Sequence, residues 1–202
     1  MIQSITFKNF KSYKSGTLHL APLTFLIGPN ASGKSNALEA IRLLSWMARG
    51  KRLEDIERDL AEGRSGIRGN VRDLFGQETE TLSYELALEG IPGMFFQKHR
   101  KIVSFGKNYS LKITLELHKN LGIYQEELEE EGRWRYRVLG KDTQYSDALK
   151  VEYNNFKKGR SPQTTCTNNL PVFYQIPSQV SSSGKHEDEA LQLFGISNEI
   201  KR

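Results

Sequence analysis

Three kinds of apolar spacing divide the chain. Near the N-terminus Ile2, Ile5, Phe7 and Phe10 recur in a short extended pattern, and Leu18 and Leu20 lead to Pro22, which reads as strand, turn, strand. Leu23-Thr24-Phe25-Leu26-Ile27 is then an almost unbroken apolar run ending at Gly28. Such a run predicts a strand covered on both faces, as in the core of a parallel sheet. From Gly33 to about Arg49 the period becomes helical, with Ala37, Ala40, Ile41, Leu44 and Ala48 on one face and Glu39, Arg42 and Arg49 pointing elsewhere. Gly50 ends this helix, and a second short one is expected over residues 53–62, stopped by Gly63.

The middle of the chain alternates with period two. Leu82, Tyr84, Leu86 and Leu88 interleave with polar residues, as do Tyr109, Leu111, Ile113, Leu115 and Leu117, so both segments predict strands with one wet face. A hairpin is expected around a three-residue loop Glu130-Glu131-Gly132, with Glu129 facing Arg133, Glu127 facing Arg135 and Leu128 facing Trp134. This makes 80–140 an antiparallel meander after a P-loop-type βα part at 1–79. Residues 141–185 read as strands and loops: 151–170 as a surface loop or edge, 171–176 as a short strand and 179–185 as a Ser/Gly-rich mobile stretch. A closing helix is expected over 186–202.

At 202 residues the chain fits one medium domain, and its net charge of +5 gives only a mild preference for polyanions. Cys166 is the sole cysteine, so it forms no internal disulfide, and it has no metal-type spacing to the histidines. No stretch approaches the ~20 apolar residues of a membrane span. These features predict a cytoplasmic protein with no membrane partner.

The strongest chemical signal joins the apolar run to the helix. Gly28, Pro29, Asn30, Ala31, Ser32, Gly33, Lys34 and Ser35 match G-x-x-x-x-G-K-[ST] in full. Glycines let the backbone wrap phosphates and aim its N–H groups inward, and the helix that follows adds its positive end. In that arrangement Lys34 reaches the terminal phosphates and the Ser35 hydroxyl holds Mg2+, so ATP and Mg2+ are the expected ligands.

Asn9-Phe10-Lys11-Ser12-Tyr13, the loop continuing into Asn36, and Leu38-Glu39-Ala40-Ile41 together resemble the N-terminal part of SMC/RecF-like ABC-type ATPases. Within that group the chain looks most like the OLD-type and "AAA family ATPase" proteins of bacterial DNA repair and phage defence. The likeness is close over about residues 1–50 and looser to 140. It implies an α/β fold: a P-loop ABC-type ATPase lobe with parallel core strands, a Walker A helix and an antiparallel β-meander. It also implies that Lys11 approaches the nucleotide, that Asn30 helps organise the site, and that the segment from Gly66 to Asp73 supplies an arginine, Arg72 being preferred. Such ATPases carry a glutamine on Mg2+ and the attacking water, for which Gln175 and Gln179 are the candidates here.

No apolar run ends in Asp-Glu, and no Leu-Ser-Gly-Gly-like signature occurs. The resemblance therefore implies the N-terminal lobe of a longer ATPase, hydrolytically weak alone. Its partners would be its own C-terminal half, a second head in a homodimer, and DNA with a nuclease effector. Two alternatives use the same residues. One is a non-catalytic nucleic-acid or protein interaction module built on the basic stretches 97–101 and 157–160. The other is a small-molecule kinase or GTPase, against which the absence of Asn-Lys-x-Asp counts. The carboxylates of 126–131 read as a solvated hairpin facing Arg133, Arg135 and Arg137.

Overall fold

The computed structural model describes residues 2–88, 108–118, 120–142, 147–154 and 161–182, with the backbone alone at 181–182. Eight strands form one sheet: β1 (Ile2–Phe10), β2 (Tyr13–His19), β3 (Thr81–Leu88), β4 (Tyr109–Leu117), β5 (Leu121–Glu130), β6 (Arg133–Lys141), β7 (Ala148–Tyr153) and β8 (Gln163–Thr167). Their spatial order is β2-β1-β3-β4-β5-β6-β7-β8, and every pairing among the described residues is antiparallel. Helices α1 (Lys34–Ala48), α2 (Ile56–Ala61) and α3 (Val172–Ser182) accompany the sheet.

Alternation sets the register of the sheet. Leu82, Tyr84, Leu86 and Leu88 of β3 lie opposite Leu115, Ile113, Leu111 and Tyr109 of β4, and all eight side chains are buried. A one-residue slip would turn the whole row to water. These rows join Ile5, Phe7 and Phe10 of β1 and the buried face of α1 in one core, where the Tyr84 hydroxyl donates to the Ala40 carbonyl at 3.0 Å. The opposite face of the sheet is polar, lined by Thr6, Lys8, Ser83, Glu85, Lys112 and Arg137 around a shallow cavity of about 510 Å³.

The expected meander is present as β3 to β6, but its last hairpin is tighter than the charge pattern suggested. Glu131 and Gly132 have φ of 47° and 74°, the two positive values of a two-residue primed turn. Glu130 therefore faces Arg133 and Glu129 faces Trp134, and beyond a bulge Leu128 faces Tyr136 and Glu127 faces Arg137. The bulge returns the apolar residues to the core face after the shorter turn. The 126–131 carboxylates are also less exposed than expected: Glu126 and Glu130 are buried, and Glu130 pairs with Arg135 at 2.9 Å.

Two further expectations need correction. Of the expected strand 171–176, all but Pro171 is helical: Val172, Phe173, Ile176 and Val180 recur at helical spacing and are buried. The buried Glu126 carboxylate accepts the N–H groups of Val172 and Phe173 at 2.8 and 2.5 Å, a cap supplied from a strand 46 residues away. The same helix takes in 179–182, expected as a loop. Within 151–170, of the two alternatives the structure shows the edge: β7 runs to Tyr153 and β8 is the last strand of the sheet. The short second helix is present, as a 3-10 turn over Leu53–Asp55 leading into α2.

The largest departure concerns 23–27. Among the described residues, 23–27, expected as a parallel core strand, forms no regular element and has no strand partner. Leu26 packs against the core, while Leu23, Phe25 and Ile27 are 72%, 74% and 93% exposed. Leu26 is only half-buried, and Thr24 beside it is exposed like the rest of the segment. The basic stretches 97–101 and 157–160, and the helix expected over 186–202, lie outside the described residues. Among the described residues no helix is long and apolar enough to cross a membrane.

Candidate nucleotide-binding site

The loop over 28–33 is solvent-exposed and turns on two left-handed residues, Ala31 with φ 63° and Gly33 with φ 89°. Gly33 is required twice. Its φ disfavours a side chain, and a Cβ there would come 2.7 Å from the Tyr13 hydroxyl oxygen. The turn is closed by Ser32 N–H donating to the Pro29 carbonyl at 3.3 Å, and α1 begins with Ala37 N–H to the Gly33 carbonyl at 3.0 Å. No side chain caps the start of α1, and no acidic residue lies in its first turn. The N–H groups of that turn and its partial positive charge are thus presented to whatever occupies the loop.

Lys34 folds back over this loop. Its Nζ donates to the Gly28 and Pro29 carbonyls at 2.7 and 2.5 Å and to Ser32 Oγ at 3.3 Å. The ammonium thereby sits inside the curve of the backbone, with its charge balanced by carbonyl dipoles and, among the described residues, by no carboxylate. Ser35 is exposed beside it at the mouth.

The turn between β1 and β2 lies against the loop. Asn36 Nδ2 donates to Ser12 Oγ at 2.8 Å, and the Tyr13 ring lies over Gly33. Lys11 (φ 51°) holds the left-handed conformation of that turn, and its Nζ donates to the Glu39 carboxylate and to the Arg68 carbonyl, the latter at 2.7 Å. Arg68 Nε donates to the other Glu39 oxygen at 2.6 Å. Glu39 is therefore buried between two cations, whereas the helical period pointed it outward. Burial pushes its carboxyl up, and the bonds and charges of Lys11 and Arg68 outweigh that and hold it below the ordinary range.

Arg72 bonds the Thr79 carbonyl and lines a cavity of about 810 Å³ with Lys11, Ser12, Tyr13, Lys14 and Phe75. Lys11 and Arg72 are thus brought to one cavity, which meets the 28–36 loop through Ser12 and Tyr13.

Gln175 is not. Its amide accepts from Thr167 N–H at 2.9 Å and donates to the Thr167 and Leu170 carbonyls at 2.8 Å each. A Cβ on Gly50 would strike the neighbouring Tyr174 ring, so α3 lies at the C-terminal end of α1. Ser35 lies at the other end of that fifteen-residue helix, ~22 Å away along its axis. The alternative Gln179 belongs to the same α3. Cys166 is buried, and burial, with the nearby Glu126 charge, pushes its thiol up to about 12, so it is a poor nucleophile. Among the described residues no cluster of His, Cys, Asp or Glu has a metal-holding arrangement.

Sequence reasoning missed Glu39 and Arg68 as a pair. A signal for Arg68 existed in the glycine-flanked run Gly66-Ile67-Arg68-Gly69. For Glu39 there was none beyond its place one turn past the loop.

A left-handed glycine loop, an uncapped helix start and a lysine curled into the loop define a P-loop phosphate-binding domain. The chain belongs to the AAA ATPase domain family, whose model matches residues 1–199. It is also similar to the DNA replication and repair protein RecF of Moorella thermoacetica, 34% identical over 124 residues, which are 61% of this chain and 29% of that protein. The RecF proteins of Gloeobacter violaceus and Oenococcus oeni are 38% identical over 68 residues and 40% identical over 80, covering 33% and 38% of this chain and 18% and 21% of theirs. The aligned regions span less than a third of each of these relatives.

Proposed function

We propose that this chain binds Mg-ATP at residues 28–36 as the N-terminal lobe of a RecF-like ATPase acting on DNA in repair, or in defence against phage. The observation that carries the reading is the loop itself: Lys34 is held over an exposed curve of backbone at an uncapped helix start. Gly28, Pro29, Asn30, Ala31, Ser32 and Gly33 would wrap the phosphates, Lys34 would leave its carbonyl partners for them, and Ser35 would hold Mg2+. Lys11, Asn36 and Arg72 would complete the mouth. DNA as the substrate rests on the names of the RecF relatives.

Hydrolysis requires groups absent from this sequence. The open apolar row Leu23, Phe25 and Ile27 supports a missing partner, because a run with apolar residues on both faces suits a strand covered on both sides. We take that partner to be the C-terminal half of the ATPase, with a second head closing over the nucleotide in a dimer.

The test is equilibrium binding of labelled ATP with Mg2+, comparing the wild type with Lys34→Ala. A loss of at least a hundredfold in affinity is expected, and equal affinity would sink the reading.

A further inference from the structure

We propose that Glu39 is a positioning residue for the phosphate end of the nucleotide, acting by fixing Lys11 and Arg68 beside the first turns of the P-loop helix; this rests on the Mg-ATP reading above.

Glu39 lies five residues beyond Lys34, a rise of ~7.5 Å along α1. Its side chain is 3% exposed, yet it carries two ion pairs, to partners 28 and 29 residues away in sequence. Those partners come from segments that share no strand pairing: the turn between β1 and β2, and the glycine-flanked run around residue 68. The carboxylate also organises their backbones, because Lys11 Nζ bonds Glu39 and the Arg68 carbonyl together. Removing the carboxylate would release the Lys11 and Arg68 side chains, while the Asn36–Ser12 and Arg42–Gly66 bonds still hold the two segments on the helix.

Charge and geometry give the arrangement a direction. Two cations and one carboxylate leave one positive charge in excess. Arg68 is anchored through Nε alone, its side chain is 71% exposed, and its two Nη groups make no hydrogen bond among the described residues. A guanidinium held at one edge with the other edge open is arranged to accept an anion. Arg72, by contrast, spends Nη1 on the Thr79 carbonyl. The contacts of Ser12 with Asn36 and of Tyr13 with Gly33 place the Lys11 turn directly on the loop. Ordering a free Arg or Lys side chain costs rotamer entropy. Glu39 meets that cost before the nucleotide arrives.

The experiment is a double-mutant cycle on Mg-ATP affinity, with thermal unfolding of each ligand-free variant measured in parallel. Glu39→Gln keeps the shape and removes the charge, and is expected to weaken ATP about tenfold. Arg68→Ala, at an exposed side chain that leaves the core untouched, is expected to weaken it to a similar extent. In the Lys11→Ala/Arg68→Ala background, Glu39→Gln should have no further effect on affinity. A purely structural role would shift the unfolding temperature and leave the affinity losses additive, which overturns the proposal. Unchanged or tighter ATP binding by Glu39→Gln or by Arg68→Ala also overturns it. Should Glu39→Gln fail to fold, Arg68→Ala alone decides. If wild type binds ATP in a Lys34-dependent way and these variants match it, only the role of Glu39 falls. If wild type does not bind ATP, both readings fall.

Discussion

Two regions of this chain rich in large apolar residues meet opposite fates. In β3 and β4 the apolar residues alternate, and every one from Leu82 to Leu88 finds a buried partner across the ladder. In 23–27 they are nearly continuous, and Leu23, Phe25 and Ile27 stand in solvent. Alternation describes a strand that needs one covered face, which a sheet with helices on one side supplies. A continuous run describes a strand that needs two, and this fold half-covers only Leu26. The P-loop therefore hangs from a well-packed scaffold at its helix side and from an open segment at its strand side.

The largest test of this contrast is Tyr84→Ala. Tyr84 is fully buried, faces Ile113 across the ladder and bonds Ala40 of α1. Its loss should cost about 3–5 kcal/mol in urea unfolding. A cost below ~1 kcal/mol would show that the sheet–helix interface is not the stabilising centre described above.

Glu126 offers a pH-dependent probe of the same sheet. Burial pushes its carboxyl up to about 7, against the lowering effect of the Tyr136 hydroxyl and the Val172 and Phe173 N–H donors. The unfolded chain has the ordinary value of 4.5. Because the folded value is the higher one, the folded state holds the proton more tightly. The contribution of Glu126 to stability is thus full below about 4.5 and declines as pH rises to about 7. The loss approaches ~3 kcal/mol across that window. Glu126→Gln should flatten this decline in urea midpoints measured from pH 5 to 7.5. A wild-type midpoint independent of pH there would contradict the buried carboxylate. Glu39 and Asp59 are both held below their ordinary values by cationic partners, so their contributions are lost only at more acidic pH and do not confuse the window.

At the junction of the two regions, Gly33→Ala should cost about 1–2 kcal/mol, because it combines a left-handed φ with a 2.7 Å approach to Tyr13. The same change should weaken ATP more than it weakens the fold. Equal stability and affinity to wild type would mean that Tyr13 does not seat on the loop in solution.

Much of this architecture was legible in the sequence because period two and period 3.6 are local signals. The meander and α1 follow from them, and the P-loop from its equally local glycine–lysine motif. What escaped depends on distant chain. The helix at 172–182 showed its 172/173/176/180 spacing, but its short apolar run also suited a strand, and its cap comes from Glu126. Glu39 looked like a solvated helix residue, since its partners lie 28 and 29 residues away. The hairpin register turned on two positive φ values at Glu131 and Gly132, which charge pairing alone could not distinguish from a three-residue loop. The reading of 23–27 as a strand buried on both faces took the need for two covers as proof that both were present.

The smallest expected effect is the sharpest for that last point. Replacing Leu23, Phe25 and Ile27 with Ser together should change the stability of this chain by no more than ~0.5 kcal/mol per site, since exposed side chains lose little on truncation. The same triple change should leave Lys34-dependent ATP binding within a few-fold of wild type, because the loop is fixed from the helix side by Tyr13 and Asn36. It should reduce any concentration-dependent self-association seen by sedimentation, because a row of three large apolar side chains in water favours contact with other surfaces. A cost of 2 kcal/mol or more at these positions would mean that the segment is already covered within the chain in solution. The contrast with β3 and β4 would then disappear, and with it the support this row gives to a separate covering partner.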